Sequence, residues 1–203
     1  MKSCIRLCRP TATFVQPNRF YCQRLPNEPE YDMTELLSVE VPQKLENNLR
    51  EFLRNVCERE LRLATAESCT GGLIASLLTD MEGVSHVFER SFVVYSDEAK
   101  REMLGVPAQS LDEYGAVSKE VAIHMAEGAL SRSRADIALS VTGFAGPPPG
   151  NEEEGLVHFA CACKGIEPLH KEIHCGAVGR TQIRLISVEA GLELMNEALR
   201  KTA

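Results

Sequence analysis

A short apolar strand, a pair of glycines and an apolar helix follow one another between residues 61 and 80. The segment 61–66 (LRLATA) alternates as a half-buried strand does, and the LIASLL run that follows Gly71 and Gly72 is compatible with a helix. The glycine turn therefore lies at a helix start, where free backbone N–H groups stabilise an oxyanion or a phosphate without a cationic side chain.

The same alternation of strands and helices continues along the chain. Apolar periodicity predicts a helix that begins near residue 43 and another over 180–200, and Ser96 and Ser118 are predicted to cap two more. Strands are predicted at 88–95, 137–142, 155–163 and 166–175, with the last two forming a hairpin around Lys164 and Gly165. This order predicts an α/β fold, a three-layer α/β/α single domain with a mixed sheet.

Residues 1–42 differ in composition from the rest of the chain. No acidic residue precedes Glu28, whereas Lys2 and four arginines do. One interpretation is an organellar transit peptide, and the other is that translation begins at Met33. We therefore expect a leader over 1–42 and a domain over 43–203, in the cytoplasm unless the leader is a genuine transit peptide.

Charge and cysteine spacing exclude several functions. The net charge of -7 argues against general affinity for nucleic acid or for anionic membranes. The eight cysteines include no C-x-x-C pair, which disfavours a zinc site and suggests a reducing compartment. His174 and Cys175 are neighbours on a predicted strand and would point to opposite faces. No metal or cofactor is expected.

Three loops follow predicted strands and are candidates for the site. They are residues 67–72, 95–100 and 142–150. In an α/β sheet, loops at the carboxyl ends of strands converge on one crevice, so we expect these loops to form one pocket that accepts a small molecule.

Ser68 is the candidate nucleophile in this pocket, and a serine needs a base within hydrogen-bond reach. The five histidines lie in turns, on a helix flank or in the hairpin, so Lys100 is the better candidate if burial lowers its pKa. Tyr95 is placed to relay a proton between the two. The alternatives are that Ser68 or Thr70 only caps the helix and that Lys100 is a solvated lysine paired with Asp97 or Glu98.

Five motifs occur together in the order found in one known family. They are TAESCTGG (65–72), YSDEAK (95–100), LGVP (104–107), GAVS (115–118) and VTGFAGP (141–147). Over residues 43–200 the chain resembles the CinA C-terminal domain family, whose members include nicotinamide-nucleotide amidases.

The resemblance implies hydrolysis of nicotinamide mononucleotide to nicotinic acid mononucleotide and ammonia, without a metal and in a homodimer or higher homo-oligomer. It assigns catalysis to Ser68, Tyr95 and Lys100. It implies that substrate is bound by Glu67, Thr70, Gly71, Gly72, Thr142, Gly143, Gly146 and Arg180.

The chain departs from the family pattern at two places. Gly179 replaces an aspartate that commonly precedes the late arginine, and three prolines with the acidic run 152–154 replace a glycine-rich segment. Carboxylates that faced the pocket would oppose a phosphate. Two alternatives therefore stay open: a nucleotide-binding or regulatory domain with weak catalysis, and an amidase for another small amide.

Overall fold

A computed structural model describes residues 41–202 of the chain. Almost all of the predicted leader, residues 1–40, lies outside the described residues. Within residues 41–202, no helix is both long enough and apolar enough to cross a membrane.

The described part is a single α/β domain with a mixed sheet, as predicted, and it contains six helices and five strands. Each predicted helix and strand is present, and the predicted bounds agree with the observed ones to within two residues. The elements in chain order are α1 (Gln43–Glu58), β1 (Leu63–Glu67), α2 (Leu73–Thr79), β2 (Phe88–Val93), α3 (Asp97–Leu104), α4 (Ala108–Tyr114), α5 (Lys119–Ser131), β3 (Ile137–Gly143), β4 (Leu156–Cys163), β5 (Ile166–His174) and α6 (Arg180–Lys201).

The sheet is mixed, with the strand order β2-β1-β3-β4-β5. The strands β2, β1 and β3 run parallel, while β4 is antiparallel to both β3 and β5. The carboxyl ends of β1, β2 and β3 therefore meet at one edge of the sheet. At the far side, β5 is an edge strand that contains Pro168, and its register with β4 shifts between Cys161 and Cys163.

The two faces of the sheet carry side chains of different size. Leu63, Ile137 and Leu139 join the core beneath α1, α2 and α6. Ala64 and Ala138 point to the opposite face, beneath α3, α4 and α5. Because alternate strand residues face opposite sides, this pattern produces the three layers and lets α5 approach the sheet closely.

Capping residues fix the helix starts that flank the site. Ser96 Oγ accepts from the Ala99 amide at 3.1 Å, and Ser118 Oγ accepts from the Val121 amide at 3.3 Å. The helix α4 was not predicted. It has seven residues, which are too few for a clear apolar period. It begins after Pro107 with no side-chain cap that would signal a helix start.

Gly128 lets α5 lie against the end of α3. A Cβ atom at this position would collide with the Leu104 carbonyl, which is backbone and cannot move aside cheaply. We expect Gly128→Ala to lower the free energy of unfolding by about 1–3 kcal/mol, measured by urea denaturation, although alanine favours a helix by about 1 kcal/mol. Glu127→Ala, at the exposed neighbouring position, should change it by less than about 0.5 kcal/mol. Equal stabilities of the two variants would contradict this packing.

Candidate active site

One pocket collects the residues at the carboxyl ends of β1, β2 and β3. Its volume is about 160 Å³. It brings together the three loops that the sequence singled out. The lining residues are Ser68, Cys69, Tyr95, Asp97, Lys100, Ala116, Val117, Thr142, Gly143, Ala145 and Arg180.

Ser68 is the first residue after β1 and is 7% exposed. Its amide donates to the Val141 carbonyl at 3.0 Å, which ties the residue to β3. Within residues 41–202, its hydroxyl takes part in no hydrogen bond. Cys69 offers a second potential nucleophile, but burial raises the pKa of its thiol to about 12, so it holds almost no thiolate near neutral pH. Ser68 therefore remains the predicted nucleophile of the pocket.

Glu67 does not face the pocket, which corrects the prediction that it binds substrate. The side chain is 0% exposed, and both carboxylate oxygens are occupied by protein donors. One oxygen accepts from Thr70 Oγ1 at 2.7 Å and from the amides of Gly72 and Ile74, and the other accepts from the Ala75 amide at 2.8 Å and from Thr65 Oγ1. Glu67 therefore caps the start of α2. The sequence had suggested Ser68 or Thr70 for this capping role.

The same bonds decide which amides of the turn remain open. The Gly72 amide is taken by Glu67, and the Gly71 amide donates to the Ser68 carbonyl at 3.1 Å. Neither amide is available to a ligand, contrary to prediction. The amides of Cys69 and Thr70 donate to no protein oxygen within the described range. These two N–H groups belong to the two residues that directly follow Ser68 in the sequence.

Arg184 supports this turn from α6. Its Nε and Nη2 atoms donate to the Thr70 carbonyl at 3.2 and 2.7 Å. Gly71 has a φ of +61°, in the region that favours glycine, and a Cβ there would come within 4.0 Å of the same guanidinium. Arg184 was not predicted from the sequence. The available signal was its position one helical turn beyond Arg180, on the same face of α6.

Lys100 is buried, with 1% of its surface exposed. Its ammonium donates to the Tyr95 carbonyl at 3.4 Å and lies 3.7 Å from Asp97 Oδ1. Burial lowers the pKa of Lys100 below its ordinary value, and Asp97 opposes this shift in part. The predicted pairing with Asp97 is present, but the alternative of a solvated lysine is wrong.

Tyr95 lies at the mouth of the pocket, with 66% of its surface exposed. Its hydroxyl accepts a hydrogen bond from Arg180 Nη2 at 3.2 Å. The carbonyl of Tyr95 contacts Lys100, whereas the hydroxyl is directed to the arginine. Arg180 is the first residue of α6, so the tyrosine and the arginine connect the end of β2 to this helix start.

Thr142 and Gly143 close the pocket at the end of β3. Thr142 Oγ1 donates to the Ala116 carbonyl at 2.7 Å, which joins the β3 end to the segment before α5 and occupies the hydroxyl proton. A Cβ on Gly143 would lie 2.7 Å from the Leu156 carbonyl, so no larger residue fits there. A Cβ on Gly146 would lie 3.9 Å from Arg180 Nη1, and this glycine is outside the pocket lining.

The acidic run 152–154 does not line the pocket. Glu153 bonds to His174 Nδ1 on β5 at 2.7 Å. The carboxylates therefore do not oppose an anion beside Ser68. Gly179, the other departure from the family pattern, precedes α6 with a φ of +89° and provides no side-chain cap.

Comparison with known proteins decides the family. Residues 44–199 match the family model of the CinA C-terminal domain. The chain belongs to this family.

Among curated relatives, the CinA domain is 52% identical over 106 residues to the nicotinamide-nucleotide amidohydrolase PncC of Escherichia coli. This match covers 51% of this chain and 64% of that protein. A CinA-like protein of Akkermansia muciniphila is 54% identical over 115 residues, 56% of this chain and 28% of that protein. The chain thus spans less than two thirds of the length of these relatives.

Solved structures agree with the CinA domain described above. The competence/damage inducible protein CihA of Agrobacterium tumefaciens is 46% identical, with a TM-score of 0.75 over 80% of this chain and 99% of that chain. A CinA superfamily protein of Escherichia coli is 32% identical, with a TM-score of 0.72 over 83% of this chain and 99% of that chain.

The capping role of Glu67 in the CinA domain predicts a large stability effect. We expect Glu67→Gln to lower the free energy of unfolding by about 3 kcal/mol, because an NH₂ group replaces an acceptor and leaves buried donors unpaired. Denaturant unfolding followed by circular dichroism measures the change. Glu98→Gln, at an exposed position in the first turn of α3, is the matched control and should change it by less than about 0.5 kcal/mol. Similar losses in both variants would contradict the capping role.

The lowered pKa of Lys100 predicts that removal of its charge stabilises the CinA domain. At neutral pH the folded state bears the cost of a buried ammonium, so Lys100→Met should raise the free energy of unfolding by about 1–3 kcal/mol. The cost disappears as the pH rises through the folded pKa towards the ordinary value of 10.5, and the difference between variant and wild type should shrink over that window. Urea unfolding at a series of pH values measures it.

The matched control is Lys44→Met, because the side chain of Lys44 is 80% exposed. Its unfolding free energy should stay within about 0.5 kcal/mol of wild type throughout this pH range. A Lys100→Met domain that is less stable than wild type at pH 7 would show that the ammonium is stabilising, against this interpretation.

Proposed function

We propose that the protein is a metal-independent amidohydrolase that converts nicotinamide mononucleotide to nicotinic acid mononucleotide and ammonia. The observation that carries the proposal is that one pocket holds both a buried lysine and a serine whose hydroxyl has no hydrogen-bond partner among residues 41–202. The 52% identity to a nicotinamide-nucleotide amidohydrolase supports the choice of substrate.

In this mechanism the Ser68 oxygen attacks the amide carbon of the substrate and forms a tetrahedral intermediate. The serine proton passes to Lys100. A lysine accepts a proton only in its neutral form, and burial increases the neutral fraction by lowering the pKa. Asp97 then stabilises the ammonium that forms, since its carboxylate is within 3.7 Å.

The oxyanion of the tetrahedral intermediate would accept hydrogen bonds from the Cys69 and Thr70 amides. Preorganised amide donors of this kind are worth about 3–4 kcal/mol of transition-state stabilisation each. Arg184 fixes the Thr70 carbonyl, and Glu67 fixes the turn on its other side, so the two amides are held in place before substrate binds.

Expulsion of ammonia requires a proton on the leaving nitrogen, which Lys100 returns either directly or through the Tyr95 hydroxyl. The remaining acyl group is an ester of Ser68. Water, deprotonated by the same lysine, hydrolyses this ester and releases the carboxylate product.

The phosphate of the nucleotide would bind at the start of α6. Arg180 offers its guanidinium there, and Gly179 leaves the first amides of this 22-residue helix without a side-chain cap. A helix start of this kind favours an anion. The pocket of about 160 Å³ is smaller than a typical ligand cavity of about 300–1,000 Å³. It would therefore enclose the carboxamide end, while the phosphate stays at the open mouth.

Ammonia release from nicotinamide mononucleotide tests the proposal. We expect Ser68→Ala and Lys100→Met each to lower kcat/KM by about 10³-fold or more, because nucleophile and base act as a unit. Arg180→Gln should act mainly on KM. Ser76→Ala on the exposed face of α2 and Lys44→Met are the matched controls and should retain wild-type rates.

Mass spectrometry of the quenched reaction adds a second readout. A peptide that gains the acyl group at Ser68 supports the mechanism, whereas acylation of Cys69 contradicts it. Tight binding of the nucleotide by wild type without ammonia release would instead favour a binding or regulatory domain. Turnover of a different amide alone would move the proposal to another substrate.

A further inference from the structure

A second cluster of titratable side chains lies on the β4–β5 hairpin, away from the pocket. His158 Nδ1 is 3.2 Å from His170 Nε2 and 3.4 Å from Glu172 Oε2. One ligand atom from each of the three residues lies within 4.8 Å of the others. None of the three lines the pocket of Ser68, so the amidase mechanism does not use them.

Strand register brings the three residues together. His158 on β4 is paired directly with Glu172 on β5, and His170 is paired with Ala160, two residues farther along β4. Residues two apart on a strand face the same side, so all three side chains project from one face of the hairpin. Ligands carried on paired strands are held more rigidly than ligands on loops.

Two of the three separations between the donor atoms are close to those around a tetrahedral metal ion, and the third is within 4.8 Å. Zinc binds imidazole nitrogen and carboxylate oxygen at about 2.0–2.2 Å, which places two ligands of a tetrahedron about 3.3–3.6 Å apart. The two measured separations from His158 lie close to this range. We propose that His158, His170 and Glu172 bind a zinc ion, with a water molecule at the fourth position.

Outer hydrogen bonds support the carboxylate ligand. Glu172 Oε1 accepts from His174 Nε2 at 2.8 Å, and His174 Nδ1 bonds to Glu153 Oε2 at 2.7 Å. This leaves Glu172 Oε2, the oxygen that faces His158, for the metal. Partners that orient a metal ligand in this way raise its affinity for the ion.

The site would connect two parts of the chain. Its ligands lie on β4 and β5, and its outer partner Glu153 lies in the connection between β3 and β4, which begins just after Thr142 and Gly143. The donor set of two histidines and one carboxylate suits zinc better than calcium or magnesium, which prefer oxygen ligands.

Zinc titration of the full chain after chelator treatment and dialysis tests the site. We expect isothermal titration calorimetry to give one high-affinity zinc ion per chain and the melting temperature to rise with zinc. Loss of an outer partner alone typically weakens metal binding about 10- to 100-fold, so His170→Ala and Glu172→Gln should weaken it at least this much. His86→Ala, at an exposed turn position, is the matched control and should bind as wild type does.

Cobalt substitution separates this site from the cysteines. Cobalt bound by histidine and carboxylate gives visible absorption without thiolate-to-cobalt charge transfer, and the visible bands should disappear in His170→Ala. Glu172 is exposed, so Glu172→Gln tests the site even if a histidine variant folds poorly. Absence of zinc binding by wild type, equal affinity in Glu172→Gln, or a thiolate charge-transfer band would each overturn the proposal.

Discussion

A single buried carboxylate organises the site. Glu67 is fully buried at the end of β1, yet it accepts hydrogen bonds from three amides around the start of α2 and from two threonine hydroxyls. The helix start supplies the positive potential that makes burial of this charge tolerable. These bonds occupy the helix amides and tie the turn between strand and helix to Glu67, next to Ser68.

Lys100 is also a buried charged residue, but within the described part of the chain it has fewer hydrogen-bond partners than Glu67. Its ammonium is removed from water, and among residues 41–202 it is paired with one carboxylate and one carbonyl, which replace the lost hydration poorly. A side chain selected for stability alone would be apolar at this position. The burial of Lys100 is useful when the neutral amine is the form that acts as the base. The burial that destabilises its ammonium is therefore also the source of its proposed chemistry.

The sequence was sufficient for most of the fold because its signals are local. Capping serines, apolar periods and the hairpin turn each act within a few residues, and α4 was missed where these signals are weak. The expectation that strand ends converge predicted Ser68 and Lys100 in one pocket, and both line it. The partners of Glu67, the support from Arg184 and the cluster on the hairpin depend on register and helix rotation, which no local pattern encodes.

Pro168 limits how the sheet of the protein can grow. The strand β5 is an edge, and an edge with a complete row of N–H groups can recruit a strand from another molecule. Proline supplies no N–H, and it falls where the register with β4 is interrupted. Pro168 thus removes one N–H donor from this edge strand. Among residues 41–202 the opposite edge of the sheet is β2, which contains no proline and therefore keeps its row of N–H groups.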